Sequence, residues 1–594
     1  MLMNEEPNNR RNKTGQGWRY FVLWLGLAAA TFLILLVVML FSSGGTRSFS
    51  DWLAPALFLF ANSLLIATAV IGVWVGGRWL CCWRNLKWVL FAGGCLVGLV
   101  GLFYAEEDLR GWLTWTLSKR AWEAKGERFT LAGVVPPRVP DEENFALTPI
   151  VFTSYGQVLT REGKLIPEDK RDDYFEVRMR MPVTLDYPGP TNCTGDRVKG
   201  TLTKLDCWQS HYRELASRTN CFPIPAQPGS PAADVLLALS RYDAVIKELR
   251  AASRLPHSRY PINYDSESPF MIHLPHLAPL KGCVQVLELR SLAELQDGHP
   301  DKALEDVQLA FQLADKVRAE PLLITHLVRA AMVQLMLQPI WEGLAAHKWS
   351  DAQLTALDAE LVKLDFIEAW RLSMRGELGA QADEMKLLRR RPEKLKELEI
   401  LRDPSGNPID LGVPRGALVH LIPAGWFYQN QHRCTRVMED YYIPMVDANQ
   451  GTFSPDLARR GEAAVRTESK TASPFNRFER LLLAWLSTGA SKFAYGQASV
   501  NLACTAIALE RYRLARGAFP KSLDALAPQF IAKVPHDAIG GQPLKFRREA
   551  DGSFVLYSIG WNEKDDDGEA TFNPDGTVDL QNGDWVWRSA AKAE

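Results

Sequence analysis

Along this chain the spacing of hydrophobic positions changes several times, and each change predicts a different kind of element. From Tyr20 to Phe41 no charge interrupts 22 positions. At 1.5 Å per helical residue that is enough to cross a hydrocarbon core about 30 Å thick. A second uncharged run, "WLAPALFLFANSLLIATAVIGVWVGG", starts at Trp52, and a third extends from Trp88 to Ala105 with tryptophans at its edge, where amphipathic rings prefer to lie. Gly94 and Gly98 stand four apart in the third, a spacing that permits close helix contact. The expectation is a tail over residues 1–19 followed by three spanning helices over 20–105.

Beyond residue 106 the pattern turns amphipathic. "EEDLRGWLTWTLSKRAWEAKGER" continues as helix, with Trp112, Trp115 and Trp122 spaced to share one face, and reads as a stalk packed on a folded domain. "GVVPPRVPDEENF" breaks it, because proline removes a donor and fixes the backbone. Residues 106–230 are therefore expected to be a helical stalk followed by an irregular, partly β region, with turn signals in "SYGQ" and "YPGPTNCTGD". Residues 231–480 show helical periodicity almost throughout. Within them Leu287, Ser291, Gly298, Ala303, Val307 and Ala310 resemble the packing positions of one tetratricopeptide hairpin. A solenoid needs about three copies, and no second is evident.

Charge enters where it decides sidedness. Arg10, Arg11, Lys13 and Arg19 precede the first run, Arg47 alone lies between the first and second, and Arg78, Arg84 and Lys87 lie between the second and third. Positive residues stay inside, so the amino terminus and second loop are expected in the cytoplasm. After three spans the bulk of the chain falls outside, which places the protein in a bacterial inner membrane with an extracytoplasmic domain. Cleavage of the first run as a signal peptide is disfavoured by its length and the lack of a small-residue cleavage site. Overall, Lys+Arg 68 against Asp+Glu 69 gives no general attraction for nucleic acid, and the basic run "LLRRRPEKLKELE" reads as a solvated helix face.

Catalytic signatures are sparse. His273 and His276 in "IHLPHLAP" lack the glutamate of a zinc protease helix and contain a proline between them, so they read as structural. There is no G-x-S-x-G, Walker A or G-x-G-x-x-G pattern. Cys193, Cys207 and Cys221 are evenly spaced in turn-rich sequence, and one disulfide among them is expected in an oxidising compartment. Cys283 and Cys504 sit in helical patterns and read as buried small hydrophobes.

The last segment, 481–594, has its own punctuation. "GQASVNLACTAIALERYRLARG" is a helix with Val500, Ala503, Cys504, Ile507 and Leu514 on one face and Gly517 as its stop. "LKFRREADGSFVLYSIG" reads as a hairpin, so a helix over a small antiparallel sheet is expected. Tyr512, Gly517, Phe519 and Pro520, then Asp537, Gly540 and Pro543, then Tyr557, Ser558 and Gly560 resemble the pattern of the globular head of the major (G-type) pseudopilin of type II secretion. That resemblance covers about a sixth of the chain and implies a pilin-like α+β head. The family joins its apolar helix, exposed by removal of a short leader, directly to the head, whereas here the head sits hundreds of residues from any span, which argues against pilus assembly. "LYSIGWNEKDDDG" and "GDWVWR" also resemble the ends of uncharacterised bacterial membrane-anchored proteins.

Calcium takes six to eight oxygens, and Asn562, Asp565, Asp567, Glu569 and Asp584 offer several from one loop and the returning chain. An EF-hand is rejected, because Pro574 stands at the twelfth position. By itself such a turn reads as solvated; the pseudopilin resemblance, in which calcium in the corresponding loop is a family feature, implies an ion there. The function expected is a non-enzymatic, inner-membrane-anchored envelope protein, a scaffold or secretion-associated factor whose partners are the membrane and envelope or secretion proteins. The alternative is a periplasmic hydrolase with its site in the helical domain.

Overall fold

The computed structural model describes residues 9–42, 49–80, 83–152, 190, 192–219, 222–264, 266–398, 416–469 and 477–589. They fall into two compact units, Met1–Glu106 and Glu107–Glu594.

In the first unit the uncharged runs become long helices: α1 (Asn9–Ser42), α2 (Phe49–Leu80) and the start of α3 (Trp83–Glu123). α1 and α2 run antiparallel, because Tyr20 meets Trp74 edge to face at 5.4 Å while Phe32 meets Phe60 at 5.7 Å. The Trp24 indole N–H donates to the Thr68 hydroxyl at 3.0 Å between them. A Cβ added at Gly94 or Gly98 would meet nothing within 4 Å, so these glycines face open space in this chain.

The second unit is mainly helical with a small sheet-containing region at its end. Its longer helices are α4 (Leu205–Thr219), α5 (Pro231–Leu239), α6 (Asp243–Ala252), α7 (Leu277–Gln296), α8 (Pro300–Asp315), α9 (Leu323–Ala345), α10 (Asp351–Leu361), α11 (Phe366–Arg390), α12 (Ala424–Val437), α13 (Pro455–Ser469) and α14 (Arg477–Arg516). α7 and α8 form the hairpin expected from the tetratricopeptide-like positions. Leu287, Ser291, Ala303, Val307 and Ala310 are buried, and Gly298 makes the turn at φ 84°, a left-handed angle that suits a residue without Cβ.

α14 is the organising element. Phe493 packs edge to face on Trp370 of α11 at 5.2 Å, and two residues on Tyr495 meets Trp585 of the sheet at 5.4 Å. One helix thus serves both the bundle and the sheet, and it ends at Gly517, φ 81°, whose N–H donates to the Arg513 carbonyl at 2.7 Å. The sheet is antiparallel, ordered β3 (Lys545–Arg548), β4 (Phe554–Ser558), β7 (Trp585–Arg588). All five residues of β4 are buried, because α14 covers one face and the following loop covers the other. A second hairpin, β5 (Ala570–Phe572) with β6 (Val578–Gly583), leaves and returns between β4 and β7. A small two-stranded pair, β1 (Val446–Asp447) and β2 (Thr452–Phe453), lies between α12 and α13.

Of the irregular, partly β region expected before residue 230, 153–189 lie outside the described residues, and of those described 205–219 are helix. The tryptophan stripe is corrected in one member: Trp115 and Trp122 are buried against Phe129, whereas Trp112 is exposed. At about 100° per residue Trp112 lies some 60° from Trp115, enough to carry it out of the packed face.

Candidate functional site

The acidic loop after β4 is held by cations from the sheet. Lys545 and Arg547 alternate on β3 and so share one face, opposite Tyr557 and Val555 of β4. Lys545 Nζ pairs with Asp565 Oδ2 at 3.0 Å, and Arg547 donates to Asp567 Oδ1 at 2.5 Å. From β7, Arg588 reaches Glu569 at 3.2 Å. The Asn562 amide donates to Asp566 at 2.8 Å. Asp584 is buried, and its Oδ2 accepts from the Gly568 N–H at 2.7 Å.

Position sets the chemistry of these carboxyls. The hydrogen bond from Lys545 holds Asp565 below the ordinary aspartate range. Burial, with Asp566 and Asp565 nearby, pushes Asp584 up to about 6. The five residues expected around calcium therefore take separate partners, and among the described residues no three His, Cys, Asp or Glu side chains converge to hold a metal. As they stand they do not form one coordination sphere.

Cys193 and Cys207 are joined by a disulfide, with Cα atoms 5.6 Å apart, while Cys221 lies outside the described residues. The bond closes a loop that reaches into the bundle. There the Arg197 N–H donates to Gln338 at 2.8 Å, and its guanidinium donates to Gln334 at 2.5 Å, to Tyr495 at 3.1 Å and to Ser499 at 3.2 Å. Thr203 donates through its hydroxyl to Glu342 at 2.6 Å and through its N–H at 2.9 Å. Burial raises the Glu342 carboxyl, and burial together with the Glu342 charge pushes Glu288 up to about 8. Sequence spacing could not find this polar seam, because its members come from four segments up to 302 residues apart.

The two histidines of "IHLPHLAP" separate. His276 is fully buried, 2.8 Å from Glu320 and stacked on Tyr260, and Glu320 also accepts from Thr325 at 2.7 Å; His273 is exposed.

Two clefts flank the part of α3 that belongs to the second unit. Asp108 accepts from the Gly425 N–H at 2.7 Å, capping the start of α12, and Gly111 lies against the Gly425 backbone so closely that a Cβ would not fit. On one side a cleft of about 380 Å³ opens between α3, α11 and α12, lined by Trp112, Lys119, Arg120, Lys386, Arg389 and Tyr428 among others. Arg389 lies over the Tyr428 ring at 4.2 Å. On the other side Arg110, Thr114, Gln429, His432, Arg433 and Arg436 line a smaller cleft of about 270 Å³. Burial and then Arg436 and Arg433 lower the His432 imidazole. The sequence signal for the clefts lay in the basic residues of 110–120, 386–389 and 433–436, but the run holding Arg389 reads in sequence as a solvated helix face, and Arg389 instead lines the larger cleft over Tyr428. No protein-family model, curated protein or solved structure matches this chain.

Proposed function

We propose that this protein is a membrane-anchored envelope protein that works by binding other components rather than by catalysis, with its helical domain and pilin-like head outside the inner membrane. The observation that carries the anchoring is the exposure of its apolar helices. Windows within Trp18–Leu36, Leu59–Arg78 and Leu86–Glu123 are 6%, 11% and 0% buried, and apolar surface on that scale needs lipid around it. The basic residues around the first three runs favour an inside amino terminus. A helix laid over β3, β4 and β7 supports the pseudopilin-like reading of the head, and its attachment through α14 to a large bundle suits docking rather than polymerisation.

The test is purification of the intact protein from membranes after crosslinking. Defined envelope or secretion components recovered in fixed ratio, and lost when the head surface is altered, support the reading. A protein recovered alone that turns over a small substrate overturns it. The hydrolase alternative draws on one observation, the coupled carboxyls Glu288 and Glu342, since raised carboxyl groups are suited to donate protons. Glu288→Gln separates the two: loss of a measurable activity with the fold intact favours the enzyme, and unchanged partner recovery favours the scaffold.

A further inference from the structure

We propose that the tail of α3 and the two clefts beside it form a binding site for anionic phospholipid, an inference that rests on the reading that the apolar helices enter a bilayer. Three observations on this stretch fit that ligand together. First, Leu109, Leu113 and Leu117 repeat at intervals of four and are 56%, 42% and 62% exposed, with Trp112 beside them at 47%. They form one apolar stripe about 12 Å long at 1.5 Å per residue, and a row of leucines on one face is a patch rather than scattered exposure.

Second, the stripe is bordered by cations on both edges. At about 100° per residue, Trp112 and Lys119 lie to one side of the leucines, where the larger cleft opens, and Arg110 and Thr114 lie to the other, where the smaller one opens. Arg120 stands at the far end of the row. In the larger cleft Arg120, Lys386 and Arg389 have no carboxylate partner among the described residues. The two acids there are already engaged, Glu123 by Lys119 at 3.5 Å and Asp383 by the Leu131 N–H at 3.0 Å. In the smaller cleft three arginines crowd one partly buried histidine, with Arg110 paired to Glu107 at 2.5 Å and Arg436 to Asp440 at 3.8 Å.

Third, two of the three acids that open the tail are turned inward, while Glu106 stays exposed at the start of the row. Glu107 is buried, bonded by Arg110 at 2.5 Å, and Asp108 caps α12. Beyond Glu106, what remains on the surface is an apolar strip with cations on both edges. A phospholipid presents the complementary shape, an acyl chain for the leucines and a phosphate for the flanking cations, with Trp112 at the boundary where indoles prefer to lie. A free phosphate would leave the leucine row unused, so the ligand is the lipid and not the ion alone.

The experiment uses the full chain in a neutral detergent, incubated with equal amounts of palmitoyl-oleoyl phosphatidylglycerol and palmitoyl-oleoyl phosphatidylcholine and then read by native mass spectrometry. The wild type should retain phosphatidylglycerol several-fold over phosphatidylcholine. Arg120→Gln with Lys386→Gln, and Arg433→Gln with Arg436→Gln, should each reduce that preference and together abolish it. Arg433→Lys with Arg436→Lys should keep it. Leu109→Gln with Leu113→Gln should lower retention of both lipids, and millimolar inorganic phosphate should not displace bound lipid. Equal retention of the two lipids by the wild type overturns the proposal without any variant. So does a dimer mass that excludes lipid, which would assign the stripe to a second copy. Carbonate extraction keeps the two readings apart: release from membranes defeats the anchoring, whereas a carbonate-resistant protein with no lipid preference defeats only this site.

Discussion

α9 and α1 are both apolar enough to cross a membrane, yet they end in opposite surroundings. The α1 window is 6% buried and that of α9, Leu323–Ala345, is 67% buried. What separates them is the fate of their polar side chains. Between Tyr20 and Phe41 α1 carries Thr31 as its one side-chain hydroxyl beyond Tyr20, and it bonds back to the Leu27 carbonyl of its own helix at 2.9 Å. α9 carries Thr325, Arg329, Gln338 and Glu342, and each finds a partner elsewhere in the folded unit, including Glu320, Asp315, Arg197 and Thr203. In lipid those groups would be unsatisfied at several kcal/mol each. Apolar content measures the gain on leaving water, and only the partners of the polar minority decide between lipid and protein interior.

The largest effect that could break this comparison is topological. Alkaline phosphatase fusions ending at residues 130, 320 and 347 should all be active, because α9 stays within one compartment. A switch between 320 and 347 would make α9 a fourth span and refute the contrast; inactivity at all three would place the large unit in the cytoplasm.

A charge placed in each helix gives the next contrast. Val333→Arg, at a side chain with no exposure in α9, buries an unpaired cation and should abolish the folded second unit, read as loss of protease resistance. Leu96→Arg, at a side chain 62% exposed in α3, should leave that resistance intact. It should instead weaken membrane insertion by about 3–4 kcal/mol, read by carbonate extraction. Equal outcomes for the two variants would mean that both helices share one environment.

These contrasts also mark how far the chain could be read in advance. Runs of uniform polarity were legible: the three uncharged stretches, the α7–α8 hairpin, and the β3–β4 pair with Gly552 at φ 86° in its turn. Periodicity reports a local face, and local faces survived. The β5–β6 hairpin escaped because "ATFNPDGTVDL" alternates weakly and looks like turn throughout. The acidic loop was legible as acidic, but its counter-charges were not, because Lys545, Arg547 and Arg588 approach it only after the strands pair. The same holds for Arg197, whose partners at 334, 338, 495 and 499 come together through tertiary packing alone.

A smaller effect sharpens the comparison within a single helix. Gly111 and Gly94 both belong to α3, but a Cβ at Gly111 would strike the Gly425 backbone and one at Gly94 would meet nothing. Gly111→Ala should therefore destabilise the second unit by about 1–3 kcal/mol, the usual range for overpacking, seen as a lowered melting temperature. Gly94→Ala should leave it unchanged. A loss from Gly94→Ala would reveal a neighbour packed on that face.

The smallest effect carries the same lesson to two aspartates of the C-terminal sheet region. Asp565 is paired with Lys545 and held low, while Asp584 is buried and pushed up to about 6, against an ordinary value of 3.8. Between about pH 4 and 6 the unfolded chain releases the Asp584 proton while the folded chain retains it. Stability from this group is therefore complete below about 4 and is lost as pH rises through about 6. Asp565 behaves in the opposite sense: its contribution is present above 3.8 and is lost only as pH falls below it, so the window from 7 to 4 isolates Asp584. Asp584→Asn keeps an oxygen for the Gly568 N–H but cannot ionise. On going from pH 7 to pH 4 the wild type should gain melting temperature relative to Asp584→Asn, with the other titrating groups cancelling in the difference. Parallel curves would remove the argument that burial governs Asp584. Millimolar calcium gives the counter-check, because an ion at this loop would favour the ionised carboxyls and flatten the wild-type slope. An unchanged slope leaves the loop to Lys545, Arg547 and Arg588.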